Sequence, residues 1–252
     1  MNQDSAADPR FRADLRRSWR LFRSFGVEQT DPERFYGDLA RDSAAQVGAY
    51  APLEGSRLLD VGGGPGFFQE AFEARGATYV ALDADAGEMR LHGRAPGERS
   101  VQGDGMALPF VTGAFDITYS SNVAEHVPEP WRMGDEMLRV TRVGGTCLLS
   151  YTVWFGPWGG HESLPWHYLG GERAAIRYQR HHGHPPKHLI GESLFRVTTA
   201  EGIRWARSRK GVEVVAVVPR YLPAWASAVV RIPVVREVAT WNLLLVLRVT
   251  GS

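Results

Sequence analysis

RLLDVGGGPGF, residues 57–67, is the stretch that decides the fold. A short apolar strand runs into Asp60 and then into three glycines at alternate positions, Gly62, Gly64 and Gly66, before residues 66–75 read as a helix. Lacking Cβ atoms, such a loop turns sharply and brings its backbone within contact distance of a ligand. A dinucleotide fingerprint needs the spacing G-x-G-x-x-G/A. Counted from Gly62 the last position is Phe67, and from Gly64 it is Gln69, so neither start fits. A carboxylate two residues before the first glycine repels a pyrophosphate and suits a ligand carrying an amine and a sulfonium. The bland alternative is a glycine-rich turn that holds nothing.

Three further segments weigh against that alternative. TYVALD (78–83) is a second strand ending in an acid, Asp83, placed to accept both hydroxyls of a ribose. GDGMALPF (103–110) sets Asp104 in a loop with Gly105 and Met106, where a carboxylate can accept an adenine amino group and a backbone N–H can meet the ring. AFDITYSSNVAEH (114–126) is a fourth strand with polar residues, Asn122 among them, at its carboxyl end, the edge where open α/β sheets bind ligands. S-adenosyl-L-methionine is a ligand that all of these features suit.

On these residues the chain resembles the class I S-adenosylmethionine-dependent methyltransferases, most clearly over residues 55–150 and with GGTCLLS (144–150) as the next strand. From Thr152 onward it also resembles one uncharacterised bacterial subgroup of that family, a likeness that supplies no substrate. The resemblance implies a Rossmann-like α/β sheet of seven strands, ordered 3-2-1-4-5-7-6 with the seventh antiparallel. It also implies a cofactor set of Asp60, Gly62, Gly64, Gly66, Asp83, Asp104, Gly105, Met106 and Asn122.

Composition narrows the function classes. A chain of 252 residues, 44% hydrophobic, suffices for one well-packed α/β domain. With 29 basic against 28 acidic residues there is no electrostatic case for nucleic acid. Cys147 is the single cysteine, which excludes a disulfide framework and a Cys-based metal site. Residues 1–9 are polar, are expected to be disordered and lack the apolar core of a signal peptide. The apolar runs 221–230 and 238–247 are too short to span a bilayer. A cytoplasmic, soluble protein is expected.

Residues 1–54 read as a tail and helical cap, and 55–252 as the methyltransferase domain. In the cap, Phe11, Leu15, Trp19 and Phe22 recur at helical spacing among Arg12, Arg16, Arg17, Arg20 and Arg23. Either this helix packs on the domain with its arginines solvated, or it lies over the substrate pocket or peripherally on an anionic membrane. Asp31 and Pro32 start a second helix whose apolar face is Phe35, Leu39, Ala40, Ala44 and Val47; Tyr36 either touches the cofactor's carboxylate or is buried as core. Strands follow at 57–61, 78–83, 99–102, 115–120 and 145–151, with helices at 85–91 and 131–140. The segment 152–197, rich in Trp and Tyr and holding six of the eight histidines, is expected to be an irregular lid over the substrate. A helix capped by Thr198 or Thr199 with Glu201, strand six at 212–218 and strand seven at 243–250 complete the chain.

Methyl transfer from a sulfonium is an in-line displacement, so a protein need only align the partners, exclude water and, where required, remove a proton. His126, just past strand four, is the best-placed candidate base, although the favoured reading is that Glu125-His126-Val127-Pro128 only shapes the loop, with His126 bonding to backbone. His161 and His167 are candidates to face the acceptor, with Trp154, Trp158 and Trp166 beside them. Quinone-biosynthesis O-methyltransferases hold a divalent cation with Glu-x-x-Glu-His, but Asn122 stands in place of the first Glu here. His181, His182, His184 and His188 form no regular ligand frame, so no metal is expected. The reading adopted is methyl transfer to a small-molecule or lipid-like acceptor. The alternative is a non-catalytic module that keeps the fold as a scaffold, and the glycine spacing argues against a nicotinamide enzyme.

Overall fold

A computed structural model describes residues 11–26, 30–87, 89 and 99–251. The polar tail 1–9 and part of the helix expected over 85–91 lie outside the described residues. Seven strands form one sheet: β1 (Arg57–Val61), β2 (Thr78–Asp83), β3 (Ser100–Gln102), β4 (Phe115–Ser121), β5 (Thr141–Thr152), β6 (Val212–Pro219) and β7 (Asn242–Val249). Their order is β3-β2-β1-β4-β5-β7-β6. The first five run parallel, and β7 is antiparallel to both β5 and β6. This is the expected sheet.

The near-continuous apolar runs of β1, β5 and β7 follow from burial on both faces. Leu59, Val61, Leu149 and Leu245 pack on one side with Met133 and Met137 of α4 (Pro130–Val140) and Ile203 of α6 (Thr199–Ser208). Leu58, Tyr79, Ile117 and Leu244 pack on the other with Leu21 of α1 (Leu15–Phe25), Phe35, Leu39 and Val47 of α2 (Pro32–Gly48) and Phe72 of α3 (Gln69–Glu73). The N-terminal helices therefore share the core of the sheet. The Asp31 side chain caps α2, and Thr198 with Glu201 closes a capping box on α6.

Four expectations need correction. The helix after the glycine loop is α3 alone, because Gly64 and Gly66 at φ +50° and +77° hold the chain out of helical conformation. Strand β5 begins at Thr141, four residues early; its pairing jumps from Phe115↔Thr141 to Ile117↔Thr146, so the extra residues bulge out of β5 opposite Phe115–Ile117 of β4. The face of α1 differs as well. Arg17 and Leu21 are buried, whereas Leu15 and Trp19 are 64% and 63% exposed. Arg17 forms a two-pronged pair with Asp42 of α2 at 2.7–2.8 Å, and that buried fork docks α1 together with Leu21 in the core and Phe22 against Trp158 and Trp241. Lastly, the segment 152–197 contains a regular helix, α5 (Gly171–His182), bracketed by Gly170 and Gly183 at φ +91° and +78°, with Ala174 and Tyr178 facing inward. Among the described residues the remaining α-helix is α7 (Val235–Ala239).

Candidate active site

Asp60, Gly62, Gly64, Gly66, Asp83 and Asn122 converge at the carboxyl ends of β1, β2 and β4. The N–H groups of Gly62 and Gly63 donate to the Leu82 carbonyl at 2.7 and 3.2 Å, tying the loop to β2. The three glycines have different reasons to be glycine. A Cβ at Gly62, where φ is +81°, would drive into the Val123 side chain, 2.7 Å from Cγ1, so this residue makes room for packing. A Cβ at Gly64 would meet nothing within 4 Å, and one at Gly66 only Gln69 Oε1 at 3.6 Å. Those two border open space, a cradle with bare backbone facing outward.

Asp83 Oδ2 accepts from the Gly64 N–H at 3.0 Å and Oδ1 from the Asp85 N–H at 3.0 Å, which steadies the cradle's outer wall. Asp104, exposed in the loop after β3, accepts from the Met106 N–H at 2.8 Å. Gly105 fits where a Cβ would press on Val61 and Met133 at 3.2–3.3 Å. Asn122, at φ +56°, donates to the Tyr221 hydroxyl and accepts from Asn242 at 2.6 Å, so β4 is bonded to β7 and to the segment after β6. Asp60 is fully buried and accepts from the Tyr79 hydroxyl at 2.6 Å. Burial pushes its carboxyl up to about 7; the Tyr79 hydrogen bond opposes this, the Asp83 charge adds to it and Arg220 opposes it.

An aromatic arc rises from the cradle. Tyr36 of α2 stacks on Phe67 of the glycine loop at 4.3 Å and 7°. Contacts continue through Phe35 (4.9 Å), Phe25 (4.9 Å) and Trp241 (4.6 Å) to Trp158, stacked on Trp241 at 4.2 Å. Tyr221 meets Trp241 at 5.2 Å. The sequence pointed to Tyr36 and Trp158 but not to Phe25, which sits in the first helix, nor to Tyr221 and Trp241, whose signal was only the Trp-, Val- and Pro-rich run 221–241.

The described histidines fall into two clusters and one separate residue, His167. His126, His161 and His188 come together, with ring centroids 4.6–5.3 Å apart, although they lie on three separate segments. His126 Nδ1 bonds the Ser193 carbonyl oxygen at 2.7 Å. Burial, and then the nearby His126 and His188, push His161 down to about 3. Burial, and then His126, push His188 down to about 4 against the pull of Glu162. Both rings are neutral at pH 7. Glu125 beside them is buried; one oxygen accepts from the Thr152 N–H at 3.0 Å and the other has no partner. His167 instead packs inside the insert against Tyr168 and Trp154, with Nε2 on the Trp154 carbonyl at 3.2 Å. His181, His182 and His184 are exposed around Tyr178, and Trp166 lies with the first two.

Arg220, just past β6, was not anticipated. It is fully buried, and its guanidinium donates to Gln46, Ser43, Tyr119, Ser121 and Ser150 at 2.6–3.2 Å, so every donor position is used. Its carbonyl accepts from Arg17 at 2.9 Å. One guanidinium thus fastens α2, β4 and β5 directly beneath the site.

The fold and cradle define a class I S-adenosylmethionine-dependent methyltransferase. Residues 59–149 match a methyltransferase domain family. A methyltransferase of Mycolicibacterium gilvum is 54% identical over 250 residues, covering 95% of this chain and 96% of that one. One of Mycobacterium tuberculosis is 53% identical over 246 residues, covering 94% and 96%. The chain belongs to this methyltransferase family. The fold is shared with an S-adenosylmethionine-dependent methyltransferase from Mesorhizobium loti (TM-score 0.55, 19% identity, 83% and 97% coverage) and one from Aquifex aeolicus (TM-score 0.51, 14%, 91% and 98%). S-adenosylmethionine is the cofactor, and the open backbone at Gly64 and Gly66, with carboxylates to either side, fits it. No helix among the described residues is long and apolar enough to cross a membrane.

Proposed function

We propose that the enzyme methylates a small, apolar or lipid-like acceptor held between the insert 152–197 and the N-terminal helices. The observation that carries this reading is the continuous aromatic arc from Phe67 on the cofactor loop to Trp158 in the insert. Flat apolar faces enclose a planar or greasy molecule and exclude water. They are also the side chains that attract a cation.

In this reading Gly64 and Gly66 give the backbone cradle, Asp83 holds the ribose hydroxyls, Asp104 and Met106 hold the adenine, and Asp60 and Asn122 shape the methionine end. The bound cofactor supplies an electrophilic methyl group on a sulfonium. The protein's share is alignment, worth roughly 7–11 kcal/mol in well-oriented reactions. His126 and His161 form the polar corner of the wall, where an acceptor's heteroatom or its proton would be handled. His167 serves only as packing behind Trp154.

The test is methyl incorporation from labelled cofactor into fractionated small molecules and lipids. Wild type is compared with Trp241→Ala, after both are shown to bind S-adenosylhomocysteine equally. Incorporation into an organic-soluble product, lost in the variant, is expected. Labelling confined to protein or nucleic acid would overturn the assignment.

A further inference from the structure

We infer that Glu125, His126 and His161, with His188 beside them, bind a divalent first-row transition-metal ion with the ligand preferences of zinc. A carboxylate oxygen of Glu125 and one ring nitrogen each of His126 and His161 all lie within 4.8 Å of one another. The two His rings are 4.9 Å apart, and His188 adds a third imidazole 4.6 Å from His126.

Two buried atoms in this group lack partners. One is Oε2 of Glu125, a residue only 2% exposed, and the other is Nδ1 of His161. Each orphaned buried polar atom is costly, and two of them on residues of one ligand cluster point to something that satisfies both. His126 already shows the arrangement of a metal ligand. Its Nδ1 faces the Ser193 carbonyl, which fixes that nitrogen as the N–H and leaves Nε2 with its lone pair free. The Thr152 N–H holds Glu125 Oε1 in the same way, which leaves Oε2 for the ion.

The donor chemistry selects the class of ion. Imidazole nitrogens with one carboxylate suit zinc and its neighbours, whereas magnesium and calcium take oxygen sets. Zinc–nitrogen bonds of about 2.0–2.1 Å put tetrahedral ligand atoms roughly 3.4 Å apart, so side-chain rotations of about 1 Å close the site. The short-range sequence pattern hid it, because the ligands are Glu125 and His126 in the β4 loop and His161 and His188 in the insert. An ion there clips the insert to the carboxyl edge of the sheet.

The exposed His181, His182 and His184 provide the built-in control. Wild-type chain is stripped with chelator, reloaded with Zn(II), passed through a weak chelating column, and its metal content measured alongside its melting temperature. About one equivalent is expected to remain and to raise the melting temperature, while Mg(II) does neither. Affinity should fall about 100-fold or more in Glu125→Gln and His161→Ala, and should be unchanged in the triple variant His181→Ala/His182→Ala/His184→Ala. Where a variant fails to fold, Co(II) loaded into wild type supplies the second reading, since a low-coordinate nitrogen–oxygen site gives intense visible bands. Less than about a tenth of an equivalent retained, an affinity lost only in the triple variant, or Co(II) bands of the hexa-aquo ion would overturn the inference and leave the two orphaned atoms to buried water. Methyl transfer is judged separately by cofactor binding, so failure of one does not decide the other.

Discussion

Replacing Asp60 with asparagine tests whether the acid at the head of the glycine loop is held protonated by its burial. The folded carboxyl sits at about 7 against an ordinary value of 3.8. An acid with a raised folded value binds its proton more tightly folded than unfolded. The stability this provides is complete below about pH 4 and is lost progressively as pH rises to about 7. Integrating the linkage between pH 5 and pH 8 gives a loss of about 2–3 kcal/mol. Asparagine does not titrate, and its oxygen can still accept from Tyr79. Its unpaired amide N–H adds an offset that is the same at both pH values, so the change with pH is the measurement. Urea unfolding of cofactor-free protein at pH 5 and pH 8 should show wild type losing about 2–3 kcal/mol more than Asp60→Asn. Tyr79→Phe, which removes the opposing hydrogen bond, should steepen the wild-type loss. Equal losses in wild type and Asp60→Asn would refute the reasoning and place Asp60 as an ordinary ionised carboxylate.

The glycine loop gives a contrast within one motif. Gly62→Ala should cost about 2–4 kcal/mol, from the overpacked Val123 contact plus the left-handed backbone, as read by denaturant midpoint. Gly64→Ala should cost about 1–2 kcal/mol and yield folded protein whose affinity for S-adenosylhomocysteine falls, as read by calorimetry. Asp83→Ala should weaken that affinity by about 1.5–3 kcal/mol, and unchanged binding would remove the ribose assignment. Arg220→Met leaves Ser43, Ser121 and Ser150 without their donor and should destabilise by about 3–5 kcal/mol, measured by thermal unfolding.

How much was legible depended on sequence range. The strands β1, β2, β4 and β7 are short apolar runs whose burial dictates their composition, so their limits read to within a residue. The glycine loop was legible because spacing encodes backbone geometry. The buried face of α1 was not, since an arginine at a core position gains its reason from Asp42, 25 residues away, and the Arg220 carbonyl, 203 residues away. The same holds for the histidines. A run such as His181-His182 attracts attention in sequence, whereas the group that meets in space is drawn from positions 126, 161 and 188. Arg220 gave no local signal, because its partners precede it by 70 to 177 residues.

That last separation bears on how the molecule assembles. The bonds from Arg220 to Ser43 and Gln46 and from Arg17 to the Arg220 carbonyl span 174 to 203 residues, among the most distant in the chain. Strand β6 reaches the sheet only through β7, which follows it in sequence and lies between it and β5. During synthesis, α1 and α2 emerge first, yet the guanidinium that fastens α2 to the sheet arrives nearly two hundred residues later. The floor of the cofactor cradle is therefore among the last parts to become rigid. Until β7 inserts, the hydroxyls of Ser43, Tyr119, Ser121 and Ser150 lack the buried cation that joins them in the finished enzyme, so the joining of α2, β4 and β5 waits on the last strand of the sheet.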